Sequence, residues 1–304
     1  MAQLGPLTSL SPSGINPAYP TIVWNGAAFA VVWNQVATSQ DLFGVLLDET
    51  GVPIGTEKQL ITSNNTDDRY ATIVATATGF ALMYEEAGGS GRGMQLATFD
   101  ATLIQTGTSS TIGNLAYAAP HKLAIRPGGY AIAGVTNQLG SSADFMFDLL
   151  DTNGARVGVD TFLAVGIAAA QGSVAASQSS FAVAWSEQFG AVHVTVLDSA
   201  GGIVRDNVLG PGEDPEVIAT PTGWAVAWDD SFQAQVNSSL LFAELSPDGT
   251  PIAAPVSIAP RTDTLKSNRS LAGNGSGYGI TWHELFPAAE TDKDGVYFAY
   301  VAKP

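Results

Sequence analysis

One short apolar core recurs six times along this chain, and that recurrence constrains the fold more than any other feature. The copies are FAVVW (Phe29 to Trp33), FALMY (Phe80 to Tyr84), YAIAG (Tyr130 to Gly134), FAVAW (Phe181 to Trp185), WAVAW (Trp224 to Trp228) and YGITW (Tyr278 to Trp282). Their first residues stand 51, 50, 51, 43 and 54 positions apart, so the 304 residues divide into similar units of about 50 residues. Each unit reads as four short strands. A strand such as YATIVATATG precedes the core, the core is the second, and a third such as VHVTVLDSAG leads through Asp-x-x-Gly or Pro-Asp-Gly to a shorter fourth such as KQLITS. Asp bonds its own turn and Gly accepts positive φ, so that junction is hairpin chemistry.

Within the core, positions one, three and five are bulky and positions two and four are mostly small. Side chains alternate faces along a strand, so one face of each sheet protrudes and the other is shallow. Stacking such sheets around an axis lets each protruding face fill its neighbour's shallow one. The expectation is an all-β fold: a six-bladed β-propeller of four-stranded antiparallel blades, one domain spanning residues 1–304. The sixth unit stops at GVYFAYVAKP, after its third strand, while the N-terminal AQLGPLTSLS is similar to the fourth-strand segment EKQLITSN. Residues 1–10 are therefore expected to pair in the last blade and close the ring.

The Gly-Phe/Trp-Ala-Val-Ala-Trp second strand and the Leu-Asp-x-x-Gly hairpin resemble the β-propeller repeat proteins of bacteria, with kelch-like, integrin-like and periplasmic Ser-Pro-Asp-Gly propellers nearest in pattern. The resemblance covers nearly the whole chain and implies fold more than activity, since propellers include lectins, scaffolds, lactonases and periplasmic accessory proteins. Neither the Gly-Gly pair of kelch blades nor the Trp-Asp dipeptide of WD40 blades recurs at one place in successive units, and the Ser-x-Asp-x-Gly-x-Thr-Trp box of sialidases is missing from this sequence.

Composition narrows the partners. A net charge of -16 repels phosphate backbones and anionic lipid surfaces, which argues against nucleic acid. No apolar run approaches the roughly 18 residues that would span a bilayer, so membrane insertion is not expected. Zero cysteines exclude disulfides, thiolate metal sites and cysteine nucleophiles. The start MAQLGPLTSLSPSG lacks the pattern of a signal peptide, and the chain is expected to act as a monomer in an extracellular, periplasmic or cell-surface setting, its export signal absent from this sequence.

Ligands of a propeller meet the face where second strands end and first strands begin. The second strands here lead into Trp33-Asn34-Gln35, Tyr84-Glu85-Glu86, Trp185-Ser186-Glu187, Trp228-Asp229-Asp230 and Trp282-His283-Glu284, so acids recur on that face. The loops and first-strand starts beside them add Asp67, Asp68, Arg69, His121, Lys122, Glu213, Asp214, Glu216 and Arg269, and the long loop of unit five adds Phe232. The candidate ligand-binding set is Asp68, Arg69, Glu85, Glu86, His121, Glu187, Asp229, Asp230, Phe232, Arg269, His283 and Glu284. No catalytic residue is assigned and no cofactor is required; calcium is the cation an acidic ring would hold, through several carboxylates and carbonyls.

Three functions follow in order. The first is a non-catalytic binding propeller, taking a protein, small molecule or glycan on the acidic face. The second is a calcium-assisted hydrolase or lactonase with its metal in the axial channel, and the third is a lectin. The strand-end aromatics are read as interblade core, and Asp-Glu-Thr-Gly, Asp-Thr-Asn-Gly and Ser-Pro-Asp-Gly as hairpin turns, since none completes a calcium-loop pattern. Unit three carries Gly134 where most others carry tryptophan, which predicts a notch in the ring.

Overall fold

The structure is a computed structural model that describes residues 16–36, 40–48, 52–61, 66–88, 91–112, 122–135, 143–167, 169–187, 190–230, 239–260, 265–273, 277–285 and 295–302. Blade 1 comprises β1 (Asn16–Trp24), β2 (Phe29–Val36), β3 (Gln40–Leu47) and β4 (Pro53–Ile61), and blade 2 comprises β5 (Asp67–Ala75), β6 (Gly79–Gly88), β7 (Gly91–Asp100) and β8 (Ser110–Ile112). Blade 3 is β9 (Lys122–Arg126), β10 (Gly129–Val135), β11 (Ala143–Leu150) and β12 (Arg156–Ile167); blade 4 is β13 (Ala169–Ala176), β14 (Ser180–Glu187), β15 (Ala191–Asp198) and β16 (Ile203–Pro211). Blade 5 is β17 (Glu213–Thr220), β18 (Gly223–Asp229), β19 (Ser239–Leu245) and β20 (Val256–Pro260), and blade 6 has β21 (Leu265–Gly273), β22 (Gly277–Leu285) and β23 (Gly295–Ala302). Strands pair antiparallel in chain order within every sheet, which is the six-bladed β-propeller the repeats predict. Residues 1–10, expected to pair in blade 6, lie outside the described residues.

The core lies between blades, and its composition explains why. Phe80, Leu82 and Tyr84 of blade 2 pack onto Ala30 and Val32 of blade 1; Phe181, Val183 and Trp185 of blade 4 pack onto Ala131 and Ala133 of blade 3. Trp224, Val226 and Trp228 meet Ala182 and Ala184 in the same way, and Tyr278 and Ile280 meet Ala225 and Ala227. In blades 2 to 6 the bulky face enters the preceding blade's shallow face. Gly172 shows how tightly the fourth blade closes: a Cβ there would lie 2.5 Å from the Phe145 ring and 2.7 Å from the Ala184 carbonyl.

The notch predicted at Gly134 is filled. Between blades 2 and 3 lie Met83, Met94 and Met146, all buried, beside Tyr130 and Ile132. These are all the methionines of the chain except Met1. An unbranched thioether adapts to an irregular gap, so three of them replace the missing indole.

Aspartate turns close the hairpins between third and fourth strands as expected. Asp100 Oδ1 accepts the N–H groups of Thr102 and Ile104, Asp151 Oδ1 those of Asn153 and Ala155, and Asp198 Oδ1 those of Ala200 and Gly202. In blade 5 the turn uses Asp248, whose Oδ1 accepts the Ser246 hydroxyl and the Thr250 N–H while Oδ2 pairs with Arg205 of blade 4 at 2.6 Å. The Ser246 hydroxyl, then the Thr250 N–H, hold the Asp248 carboxyl down at about 2. A carboxyl lowered on folding contributes stability above its unfolded value and loses it as the pH falls toward its folded one. In Asp248→Ala, melting should therefore show a stability deficit that is constant above about pH 5 and narrows between about pH 4 and about pH 2; a deficit unchanged across that range would contradict this role.

Candidate functional site

The first strands carry a shared irregularity at the end that meets the second-strand termini. Register shifts by one residue between Ala18 and Thr21, Arg69 and Thr72, Ala169 and Gly172, Glu213 and Glu216, and Ser267 and Ser270. Each is a β-bulge at the same place in its blade, and bulges re-aim side chains. Tyr19, Tyr70 and Asp214 occupy equivalent bulge positions with φ of 52°, 54° and 54°. A left-handed non-glycine backbone costs about 1 kcal/mol or more, so neighbouring contacts must hold it there.

Blades 1 and 2 hold it with aromatic and charged contacts. The rings of Tyr19 and Tyr70 meet edge to face with centroids 4.7 Å apart, and the Arg69 guanidinium lies 5.4 Å from the centre of the Tyr70 ring. Arg69 Nε and Nη2 donate to Glu85 Oε1 at 3.2 and 3.1 Å. Glu85 is 2% exposed and Tyr19 is 50% exposed, so the cluster runs from a buried carboxylate through a clamped guanidinium to an open aromatic ring. Burial, then the Tyr19 hydroxyl, raises the Tyr70 pKa, with Arg69 opposing, so Tyr70 stays a neutral phenol near pH 7. Tyr84 is pushed up to about 12 by burial, with the charges of Asp68 and Glu86 adding to it, while its hydroxyl donates to Ser109.

The other acids of the face divide by strand parity. The residue after each strand-end aromatic turns into the seam between blades: Asn34, Glu85, Ser186 and Asp229 are all buried there. Asn34 Nδ2 donates to the Asp68 carbonyl across the seam of blades 1 and 2, and Asp68 is itself buried. The next residue is half-buried in blades 2, 4 and 5, whereas Gln35 of blade 1 is buried. Glu86 Oε2 accepts Gln95 Nε2 at 2.9 Å, and Asp230 Oδ1 accepts the Ser239 N–H at 2.6 Å, closing the neck of the long blade-5 loop. Glu187 stands apart from blade 2, with Oε1 3.8 Å from His193 Nε2. His193 is on β15, the third strand of its blade, stacked 4.1 Å from Trp185 with Nδ1 on Asp206.

A further pair joins blades that are not neighbours. Lys122, at the start of β9 in blade 3, lies 3.4 Å from Glu216 on β17 in blade 5, reaching past blade 4. Glu216, with Asp214 assisting against burial, raises the Lys122 pKa and holds it charged. Among the described residues no group of three or more histidine, aspartate or glutamate residues is arranged to hold a metal ion.

The structure thus brings Asp68, Arg69, Glu85 and Glu86 together on blade 2 and places Glu187, Asp229 and Asp230 in separate surroundings on blades 4 and 5. His121 and Phe232 lie outside the described residues, and Arg269, His283 and Glu284 are placed by backbone only, with Lys266 opposite Glu284 and Ser267 opposite His283. Sequence reasoning missed Tyr19. Its signal was present in the Tyr-x-Thr-Ile-Val that AYPTIV and RYATIV share at units one and two.

No family model matches the chain, and no curated protein matches its sequence. Solved structures do. A Dyadobacter fermentans protein of unknown function superposes with a TM-score of 0.66 at 10% identity, over 95% of this chain and 94% of its own. Trypanosoma rangeli sialidase in complex with sialic acid gives 0.60 at 9% identity over 94% of this chain, and a subtype N10 neuraminidase-like protein of a bat influenza virus gives 0.57 at 7% identity over 95%. The likeness is one of fold. This chain spans about half the length of the sialidase, covering 54% of it.

Truncating Glu85 removes a buried carboxylate and leaves the partly exposed Arg69 guanidinium without its clamp, which should cost more than the roughly 1 kcal/mol ceiling of an exposed pair. Glu85→Ala should lower the denaturant midpoint with an unchanged m-value, whereas Glu86→Ala, at a half-buried position, should cost less than about 1 kcal/mol.

Proposed function

We propose that this protein is a binding propeller that seats a glycan on its loop face over blades 1 and 2, in an exported or cell-surface setting. The observation that supports this most is the open Tyr19 ring, held edge-on to Tyr70 beside a guanidinium fixed by Glu85. An exposed aromatic ring presents an apolar platform with a polar tip, and fixed planar hydrogen-bonding groups beside it supply orientation. A sugar has both an apolar ring face and vicinal hydroxyls, and Arg69, Glu86 and Gln95 are placed to meet the latter. Both tyrosines sit on strained bulges, so the platform is organised before any ligand arrives, and less ordering entropy is lost on binding.

Hydrolysis is a weaker reading. The fold neighbours include a sialidase seen with sialic acid, and Tyr70, Glu85 and Arg69 place a phenol, a carboxylate and a guanidinium together. A nucleophilic phenol needs a depressed pKa, and that of Tyr70 is raised.

A glycan array probed with the wild-type protein, with Tyr19→Ala and with Arg69→Gln tests the reading. Wild type should bind a restricted set of glycans, and Tyr19→Ala should weaken that binding by about tenfold or more while lowering the melting temperature by only a few degrees. An array without signal, or signal that survives Tyr19→Ala, overturns it. Release of sugar from a bound glycan would instead establish hydrolysis.

A further inference from the structure

Blade 4 holds an imidazole in one orientation and leaves one of its nitrogens open. His193 on β15 stands directly opposite Trp185 on β14, and the two rings stack at 4.1 Å with 16° between their planes. Phe145 of blade 3 stacks on the same indole at 6.0 Å. The plane of the imidazole is therefore set by rings fixed in the seam of blades 3 and 4, and only 13% of the His193 side chain is exposed.

A run of hydrogen bonds decides which nitrogen is open. Trp185 Nε1, which can only donate, donates to Thr195 Oγ1 at 3.0 Å. The Thr195 hydroxyl donates in turn to Asp206 Oδ1 at 2.7 Å, and Asp206 Oδ2 lies 2.9 Å from His193 Nδ1. At neutral pH a carboxylate accepts and does not donate, so the proton between these two atoms belongs to Nδ1. The neutral ring then carries its lone pair on Nε2. A carboxylate bonded to one ring nitrogen fixes the tautomer and raises the basicity of the other, which is how metal-ligating histidines are prepared.

The open nitrogen faces a second carboxylate that does not bond to it. Glu187 Oε1 stands 3.8 Å from Nε2, too far for a hydrogen bond. Two ligand atoms held by one zinc ion at about 2.0–2.2 Å in a tetrahedral arrangement are about 3.4 Å apart, so this gap is within a few tenths of an ångström of a chelate. Glu187 is 43% exposed and has the freedom to close it. Its side chain is folded over its own hairpin, where Gly190 donates its N–H to the Glu187 carbonyl at 3.1 Å. A Cβ at Gly190 would lie 2.5 Å from Glu187 Oε2 and 2.6 Å from Glu187 Cβ, so the carboxylate keeps this place only because residue 190 has no side chain.

We propose that His193 Nε2 and the Glu187 carboxylate form a binding site for a divalent transition ion of the Zn2+ type. Asp206, Thr195 and Trp185 orient the imidazole, and Gly190 makes room for the carboxylate. An imidazole with one carboxylate selects Zn2+, Ni2+ and Cu2+ over Ca2+ and Mg2+, which want a shell of oxygens. With two protein ligands, the ion keeps at least two positions for water or for the oxygens of a bound molecule. The site is on blade 4, away from Tyr19 and Tyr70, and does not rest on the glycan reading.

Isothermal titration calorimetry of chelator-washed protein with Zn2+, in excess Ca2+, tests the site. Wild type should bind Zn2+ with Ca2+ unable to compete, and His193→Gln should lose that binding. Glu187→Gln should weaken it by about tenfold or more, and Asp206→Asn, which frees the tautomer, by about 10–100-fold. Glu187 is half-exposed, so its variant keeps the test decisive if His193→Gln melts early. Cu2+ gives a second readout: held at Nε2 it lies beside the stacked Trp185 indole and should quench part of the tryptophan emission in wild type and not in His193→Gln. Before metal is added, the ring 15N shifts of His193 should report the Nδ1–H tautomer. No Zn2+ binding, equal binding by wild type and His193→Gln, undiminished binding by Glu187→Gln, or an Nε2–H ring would each overturn the assignment.

Discussion

The packing of a protruding sheet face into a shallow one governs everything else in this molecule. Small residues, mostly alanine, at positions two and four of most core strands leave room, and phenylalanine, tyrosine or tryptophan at position one, and at position five in all but the third, fills it. Burying one such aromatic contributes roughly 2–3 kcal/mol. Because each blade has one face of each kind, no blade can bury its surface alone, and stacking continues until the first shallow or protruding face finds the last. The ring is the shape that leaves neither exposed.

The same geometry decides the character of the loop face. A strand that ends on an aromatic at position five must turn its next side chain toward the seam and the one after toward solvent. Polar residues at the first of these places become buried structural groups, as with Asn34 bridging to the Asp68 backbone and Glu85 clamping Arg69. An acidic face in the sequence thus becomes a sparse set of distinct environments. Blades 1 and 2 differ from the others because two tyrosines occupy adjacent bulges and touch.

Much of the architecture was legible in the sequence because it is periodic: the cores, the aspartate turns and the blade number all repeat, and repetition averages out local ambiguity. The departures were harder to read. Gly134 looked like a hole because the residues that fill it, Met83, Met94 and Met146, come from three strands in two blades, and no local pattern links them. Asp68 and Glu85 could be placed on one face, yet their burial depends on strand parity at a bulge, which a linear reading does not register. The Lys122–Glu216 pair joins blades that are not neighbours, so its spacing in sequence carries no signal at all.

The methionine-filled seam gives this propeller an unusual chemical property. Thioethers sealed between blades 2 and 3 are shielded from peroxide while the seam is shut, and conversion to sulfoxide would insert polar oxygen into a space lined by Leu96, Leu123 and Ile132. Oxidation there has to wait for the two blades to part. The rate at which these sulfurs are modified therefore works as a clock for how often the ring breathes at one known joint.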